Sequence, residues 1–364
     1  MSEGLDSADA EARALLILDG LPGIGLVTVR ALVDRFGSAT ASLEASRGAF
    51  ARIAGDRAAG RRTDREILLS VDRAVQRADR LGIEVVTWRS PRYPEPLWHL
   101  ADPPPVLFLR GNIDLLGSDA VTVVGARRAT SRSRDLAERL GRALAEAGVT
   151  VISGMALGVD GAAHRGALDA HGDTVAVLGT GADIAYPRSH YPLFRRILDR
   201  GLAVSEFLPG TPALPHHFPR RNRILAALAR VTVVVEAGVR SGSLITVDHA
   251  LDLGRDVWVV PGPIEQAACA GSNRLLGDGA RPLLSVSEFV DEIAPEAEGG
   301  AASRHIPSGP KGRVLLALAD RALDVDELAA RLDLLVPAAL ALLTEMEMQG
   351  SVRRLPGMRF RRAS

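Results

Sequence analysis

Arginines set beside glycines and hydroxyls are the most chemically specific feature of this chain. One stretch runs Phe218-Pro219-Arg220-Arg221-Asn222-Arg223, then an apolar helical stripe of Ile224, Leu225 and Leu228. A β-branched run, Val231-Thr232-Val233-Val234-Val235, leads on to Glu236 and then to Ser241-Gly242-Ser243-Leu244-Ile245-Thr246. A guanidinium presents a planar fork of donors that matches a phosphate. A helix start adds unpaired N–H groups and a partial positive charge, which also favour anions. A strand between the two fixes their separation. The chemistry indicated is phosphate gripping. For this segment alone, the alternative is a solvated arginine face followed by a plain turn at Gly242.

The same ingredients recur where other strand candidates end. Residues 121–124 are followed by Gly125-Ala126-Arg127-Arg128-Ala129-Thr130. Residues 149–152 are followed by Ser153-Gly154-Met155-Ala156-Leu157-Gly158-Val159-Asp160-Gly161. After 174–178 come Gly179-Thr180-Gly181 and then Tyr186-Pro187-Arg188. Arg127, two residues past its strand, can reach a phosphate held by the turn's own amides, or instead pair with Asp160 or Glu236 across the sheet edge.

These residues need a scaffold that brings strand ends together. Strand candidates are 106–109, 121–124, 149–152, 174–178, 202–205, 231–235 and 256–260, and between 121 and 260 helical segments separate them at 133–147, 161–170, 190–200, 220–229 and 243–253. Continuous Val/Ile/Leu strands alternating with helices predict an α/β fold with a doubly wound parallel sheet. Ligands of such sheets sit at the carboxyl ends of the strands. Residues 1–82 read as a helical domain of helix-hairpin-helix or SAM-like type. Its Gly23-Ile24-Gly25 turn would either offer amides to a DNA phosphate or simply turn a tight corner. A strand is expected at 83–87, and Pro91, Pro94, Pro96 and Pro103-Pro104-Pro105 mark a connecting segment. The sheet domain is expected over 83–294, a flexible linker over 295–310, and a winged-helix domain over 311–364, with helices at 311–319, 325–332 and 336–348 and a wing turning at Pro356-Gly357.

Composition narrows the possible functions. The 44 basic and 44 acidic residues cancel, yet positive charge gathers mid-chain. Residues 186–223 carry seven arginines against Asp199 and Glu206, and 126–142 carry six against Asp135 and Glu138. Lys311 is the sole lysine, so a phosphate-loop NTPase is excluded in the sheet domain. Gly125-Ala126-Arg127-Arg128 lacks the later glycines of a dinucleotide fingerprint. Cys269 alone permits neither an internal disulfide nor a cysteine zinc site. Asp160 and His164, one helical turn apart, read as a helix cap and a loop contact rather than metal ligands, and His216-His217 lacks a carboxylate at ligand spacing. No nucleophile elbow is present. The reading is a cytoplasmic protein with no cofactor, no metal, no membrane span and no catalytic group. With 4% aromatic residues, base stacking would fall to a few rings, chiefly Tyr186 and Phe218.

Taken in order, Gly125-Ala126-Arg127, Ser153 through His164, Tyr186-Pro187-Arg188, Ser205-Glu206, Phe218 through Arg223, Glu236-Ala237, Ser241 through Thr246 and Val260-Pro261-Gly262 resemble the bacterial DNA-processing protein A family, DprA or Smf. The resemblance covers roughly 105–294 and, more loosely, both flanking modules. It implies an extended Rossmann-like domain, in a homodimer, that binds single-stranded DNA and helps load the recombinase RecA in natural transformation. It carries DNA contacts onto Gly125, Ala126, Arg127, Arg188 and the Phe218–Arg223 segment with Arg220 and Arg221. Ser153, Gly154, Ser241, Gly242 and Ser243 join them as sources of amides and hydroxyls. Ala126 stands where the family usually has serine, and Arg188 where it usually has lysine.

Two other classes compete. Related Rossmann-like nucleotide phosphoribohydrolases use a Pro-Gly-Gly-x-Gly-Thr-x-x-Glu helix start, for which this chain offers only Ser241 through Thr246 and the shorter acid Asp248. A duplex-reading regulator would use the helix 336–349, but its charges, Glu345 and Glu347, have the wrong sign for a phosphate-lined groove. Protein contact is the expected use of that helix.

Overall fold

The computed structural model describes residues 3–294, with side chains from Ala10 onward, and in the tail residues 314, 317–318, 323–332, 334, 336–348, 352–355 and 358–362. The expected linker, most of the expected helix 311–319 and the turn at 356–357 lie outside these residues. Two compact units form, one over 1–294 and one over 295–364.

The first unit opens with five helices, α1 (Glu3–Asp19), α2 (Leu26–Phe36), α3 (Ala39–Glu44), α4 (Arg47–Arg61) and α5 (Arg65–Leu81). Side chains of Ser38, Ser46 and Asp64 cap the starts of α3, α4 and α5, each accepting from a first-turn amide. Leu15, Leu18, Leu32 and Phe50 are fully buried and continue into the same apolar core as Leu107, Val204 and Val234 of the sheet. Residue 82 therefore marks a change of secondary structure within one packed core.

The sheet strands are β1 (Glu84–Thr87), β2 (Val106–Gly111), β3 (Ala120–Val124), β4 (Thr150–Ser153), β5 (Thr174–Val177), β6 (Leu202–Ser205), β7 (Val231–Val234), β8 (Asp256–Val259) and β9 (Arg281–Pro282). Their spatial order is β1-β2-β6-β5-β4-β3-β7-β8-β9. From β6 to β9 every pairing is parallel. β1 and β2 add antiparallel at one edge, because no crossover helix lies between them and the proline-rich segment returns the chain directly. The helices of this part are α6 (Ser131–Glu146), α7 (Val159–Asp169), α8 (Tyr191–Arg200), α9 (His217–Leu228), α10 (Ser243–Asp252), α11 (Ala270–Gly277) and α12 (Val286–Ile293).

The period of two along each strand sorts side chains between the two faces. Val121, Val123, Val231 and Val233 pack with Leu140, Val159 and Phe289 of α6, α7 and α12. Val124 and Val234 pack with Ile224, Leu225 and Val247 of α9 and α10. Thr122, among the latter, gives its hydroxyl to Leu225 O at 2.8 Å and so is satisfied in the core. The strand order reverses between β3 and β7, since β3 leads toward β4 and β7 toward β8. That pair is the topological switch point, and α9 and α10 border it.

In the second unit, β10 (Leu323–Asp324), β11 (Val352–Leu355) and β12 (Arg359–Arg362) form a sheet in the order β10-β12-β11, with α13 (Val325–Leu332) and α14 (Val336–Met348). Leu328, Leu343, Met346 and Phe360 make its own small core. The helices expected at 325–332 and 336–348 and the two wing strands are present.

Candidate nucleic-acid interface

An open cavity of about 770 Å³ lies over the carboxyl ends of β3 and β7. Gly125 to Arg128 form one wall, the turn from Gly238 to Ser243 another, and Phe218, Arg221 and Asn222 of α9 a third, with Asp160, Tyr186 and Thr246 also lining it.

The β3 turn is pressed against its neighbours. Ala126 N donates to Glu236 O at 2.7 Å, tying the turns after β3 and β7. A Cβ on Gly125 would stand 2.6 Å from Val159 Cγ2, so glycine is the residue that lets these turns meet. Glu236 is fully buried and accepts from Thr130, from Oγ1 at 2.7 Å and from N at 3.2 Å, which anchors the start of α6. Arg127 leaves this turn into solvent, and its guanidinium sits 4.9 Å from the centre of the Phe218 ring. The Phe218 and Tyr186 rings lie 5.4 Å apart, and Phe218 rests on Gly179, where a Cβ would meet its ring at 2.8 Å. Tyr186 is 41% exposed, which leaves it open to a planar ligand.

Arg127 forms no ion pair among the described residues. The two carboxylates that could have taken it are occupied: Glu236 by Thr130, and Asp160 by the amides of Gly154 at 3.1 Å and Ala156 at 3.4 Å. Arg128 and Arg188 are likewise exposed and outside the ion pairs. So is Arg240, which lines the cavity and was not singled out from the sequence. Its signal there was its place one residue before the Ser241-Gly242 helix start.

The arginines of α9 are held differently. Arg223 is buried and grips Glu206 with both terminal nitrogens, at 2.7 and 2.8 Å, while its Nε donates to Asp102 at 2.9 Å. Arg220 pairs with Glu206 at 2.9 Å. Arg221 is buried and donates to the carbonyls of Gly154, at 3.0 Å, and Val177. The expectation that all three present guanidinium groups to phosphate is corrected for Arg223, whose donors are consumed by folding. Arg220 is largely consumed in the same way, and Arg221 reaches the cavity from beneath. The solvated-face alternative fails as well, because these carboxylates lie across the fold.

Burial sets the electrostatics under the cavity. It lowers the Arg221 pKa to about 10, with Asp160 opposing the shift, so the group stays cationic at neutral pH. Burial also pushes the Asp160 carboxyl above its ordinary value, opposed by Arg221 and by its two amides. His164 lies wholly inside, its Nδ1 2.7 Å from Thr174 Oγ1, and burial together with the positive charge of His190 and Arg221 lowers its pKa to about 3. The expected loop contact of His164 is thus a contact to β5. Asp160 is not the expected helix cap: the N-cap of α7 is Gly158, and Asp160, inside the first turn, accepts instead from the preceding loop amides of Gly154 and Ala156. Ser153 is buried, with Oγ on Val123 O at 2.6 Å, and does not reach the cavity. Gly154 lies directly over Arg221 and Asp160. Among the described residues, no three His, Cys, Asp or Glu side chains gather as a metal site. Asp248 of α10 is exposed and does not line the cavity, so the phosphoribohydrolase reading loses its acid.

The Ser241–Ser243 turn delivers the start of α10 to the cavity. Ser241 Oγ and Ser243 Oγ are 2.8 Å apart, and Asn222 Nδ2 donates to Gly242 O at 3.0 Å, fixing the turn to α9. The N-cap residue Gly242 has no side chain to cap this helix, and Ser241 Oγ accepts from Ser243 N at 3.4 Å.

A parallel sheet whose switch point gathers exposed arginines, rings and a helix start is a Rossmann-like arrangement with the chemistry to hold an anion. Comparison with known proteins narrows this. Residues 84–294 match the family described as DNA recombination-mediator protein A, and residues 298–358 match the DprA winged helix domain. Protein Smf of Escherichia coli is 36% identical over 283 residues, covering 74% of this chain and 76% of that protein. A putative DNA processing protein DprA of Mycobacterium tuberculosis is 41% identical over 68% of this chain, and the match spans 66% of that protein's length. The crystal structure of DprA from Streptococcus pneumoniae superposes with a TM-score of 0.66 at 34% identity, over 76% of this chain and 95% of that one. The chain belongs to the DNA recombination-mediator protein A (DprA/Smf) family.

Proposed function

We propose that this chain binds single-stranded DNA across the switch-point crevice and acts as a recombination mediator. The carrying observation is the exposed, unpaired Arg127 set over the Phe218 ring at the mouth of the cavity. It joins a phosphate ligand to a stacking surface, the two elements that sequence-tolerant single-strand binding uses. A DprA structure from Helicobacter pylori, described for its single-stranded DNA binding mode, supports this reading at 29% identity, 58% coverage of this chain and a TM-score of 0.53. On this reading Arg127, Arg128, Arg188 and Arg240 meet phosphates, Phe218 and Tyr186 meet bases, and Gly125 and the Ser241–Ser243 turn supply close backbone, while Gly154 is spent on Asp160 and Arg221. Arg220, Arg221 and Arg223 hold α9 in place.

The wider role follows the family resemblance: a cytoplasmic homodimer that protects an incoming strand and helps load RecA in natural transformation, without catalysis of its own. No described helix is long and apolar enough to cross a membrane.

The test is anisotropy binding with single-stranded, duplex and mononucleotide ligands across a salt series. Single strands should bind more tightly than a duplex of equal length, with little dependence on sequence. Equal affinity for both would refute the reading. Sedimentation tests the dimer, and the rate of RecA filament assembly with and without the chain tests loading.

A further inference from the structure

We infer that the start of α10 forms a subsite for a phosphate monoester, the terminal phosphate of a strand or a free nucleoside monophosphate. This deepens the single-strand reading and rests on it. Helix α10 is ten residues long, and its first turn faces the cavity through Gly242, Ser243 and Thr246. The helix dipole favours an anion there; Ser243 N already donates to Ser241 Oγ at 3.4 Å and Leu244 N to Ser241 O at 3.1 Å, so hydroxyls must supply much of the hydrogen bonding.

Thr246 supplies a second, independent observation. It is 1% exposed, contributes to the cavity wall, and its Oγ1 has no hydrogen-bond partner among the described residues. A threonine inside a helix ordinarily gives its hydroxyl to the carbonyl four residues back. That carbonyl, Gly242 O, accepts from Asn222 Nδ2 at 3.0 Å, and Thr246 Oγ1 makes no bond to it. A buried hydroxyl left without a partner is costly, so an external acceptor satisfies it.

The depth of Thr246 favours a monoester over a diester. An internal phosphate has two non-bridging oxygens, and both its ester oxygens continue into sugars, so it needs two exits from any pocket. A terminal phosphate has three such oxygens and one exit. Ser243 and Thr246 lie one above the other on the same helix, Ser243 nearly buried and Thr246 fully so, which suits a group that enters end-on. Arg240 adds positive charge at the rim. Asp160 also lines the cavity, but its charge faces Arg221 and the Gly154 and Ala156 amides.

The experiment uses the full chain and three (dT) oligonucleotides of equal length, with a 5′-phosphate, a 3′-phosphate or no terminal phosphate, plus free dTMP. At least one phosphorylated strand should bind about tenfold more tightly than the unphosphorylated one, the size of one hydrogen bond to a charged group at the low end of its range. In Thr246→Val, which keeps shape and removes the hydroxyl, that ratio should fall toward one. A tenfold advantage for strands with no binding of dTMP assigns the subsite to strand ends. Binding of dTMP that Thr246→Val weakens extends it to free monoesters. Equal affinity of all three strands overturns the inference, as does an advantage that Thr246→Val leaves intact. Tight binding of the unphosphorylated strand, measured in the same series, keeps the single-strand reading standing if the subsite fails.

Discussion

Two sets of arginines lie within the same sheet domain and meet opposite fates. Arg220, Arg221 and Arg223 fall within four consecutive residues, yet Arg221 and Arg223 are turned inward and Arg220, its side chain 37% exposed, is paired with Glu206. Arg127, Arg128, Arg188 and Arg240 are scattered over more than a hundred residues, and all four remain exposed without an ion pair among the described residues. Density of positive charge in a sequence is thus a poor guide to where an anion binds. What decides is whether folding leaves a carboxylate within reach. Glu206 follows β6 and stands under the start of α9, where it neutralises two of the three clustered arginines at once.

The largest expected effect tests the consumed set. Removing Glu206 leaves the Arg223 guanidinium buried with Asp102 as its one carboxylate. Breaking a buried pair from one side typically costs about 3–5 kcal/mol. Glu206→Ala should therefore lower the urea midpoint sharply, while the salt slope of strand binding by the fraction still folded stays unchanged. A flattened salt slope would mean that this cluster reaches phosphate, and the comparison would break.

His164, sealed beneath the cavity, gives the next effect. Its pKa is about 3 in the fold against an ordinary 6.5, so between those values the unfolded chain binds a proton that the folded one refuses. Stability is therefore complete above pH 6.5 and falls as pH drops toward 3, by about 1.4 kcal/mol per pH unit from this group. Asp160, with its raised pKa, works in the opposite sense over an overlapping range, so the readout is the difference between wild type and His164→Gln. Urea titrations between pH 4 and 6 should show the variant's stability falling less steeply by about one proton. Parallel curves would show that His164 takes up its proton in the folded state.

Much of the fold was legible in the sequence because its causes are local. Runs such as Val231 to Val235 have a composition that suits a strand buried on both faces, and each strand-end turn carried its glycine. The edge hairpin of β1 and β2 was less legible, since strand direction depends on how the proline-rich segment returns. The fate of the α9 arginines was illegible for a different reason. Arg223 meets Asp102 from 121 positions away, and nothing in Phe218-Pro219-Arg220-Arg221-Asn222-Arg223 encodes that encounter. The unpartnered hydroxyl of Thr246 is equally hidden, because it depends on how α9 and α10 pack and not on the residues beside it.

For the exposed set, Arg127 should matter most. Arg127→Ala is expected to weaken single-strand binding by about 1.5–3 kcal/mol, the range for hydrogen bonds to charged groups. It should also flatten the salt slope by about 0.7, the value for one phosphate contact on a single strand. Arg127→Lys should recover part of the loss, because an ammonium keeps the charge but not the planar fork. Normal binding by a folded Arg127→Ala would remove the central contact from the proposed interface.

Arg240 sharpens the comparison within the exposed set and carries the smallest expected effect. Like Arg127 it lines the cavity and lacks an ion pair among the described residues. Unlike Arg127 it has no aromatic ring beneath it, and it projects from a turn closed by Ser241 N on Gly238 O at 3.0 Å. A flexible, hydrated guanidinium at a rim acts mainly through its charge, which salt screens over about 10 Å at 0.1 M. Exposed charge interactions of this kind contribute about 0.2–1 kcal/mol. Arg240→Ala should accordingly reduce strand affinity by less than about fivefold at low salt, and the deficit should fade as salt is raised, whereas the Arg127→Ala deficit should persist. A loss equal to that of Arg127→Ala, held at high salt, would make the turn before α10 a primary phosphate contact. Backing by Phe218 would then not be what separates strong arginines from weak ones at this crevice.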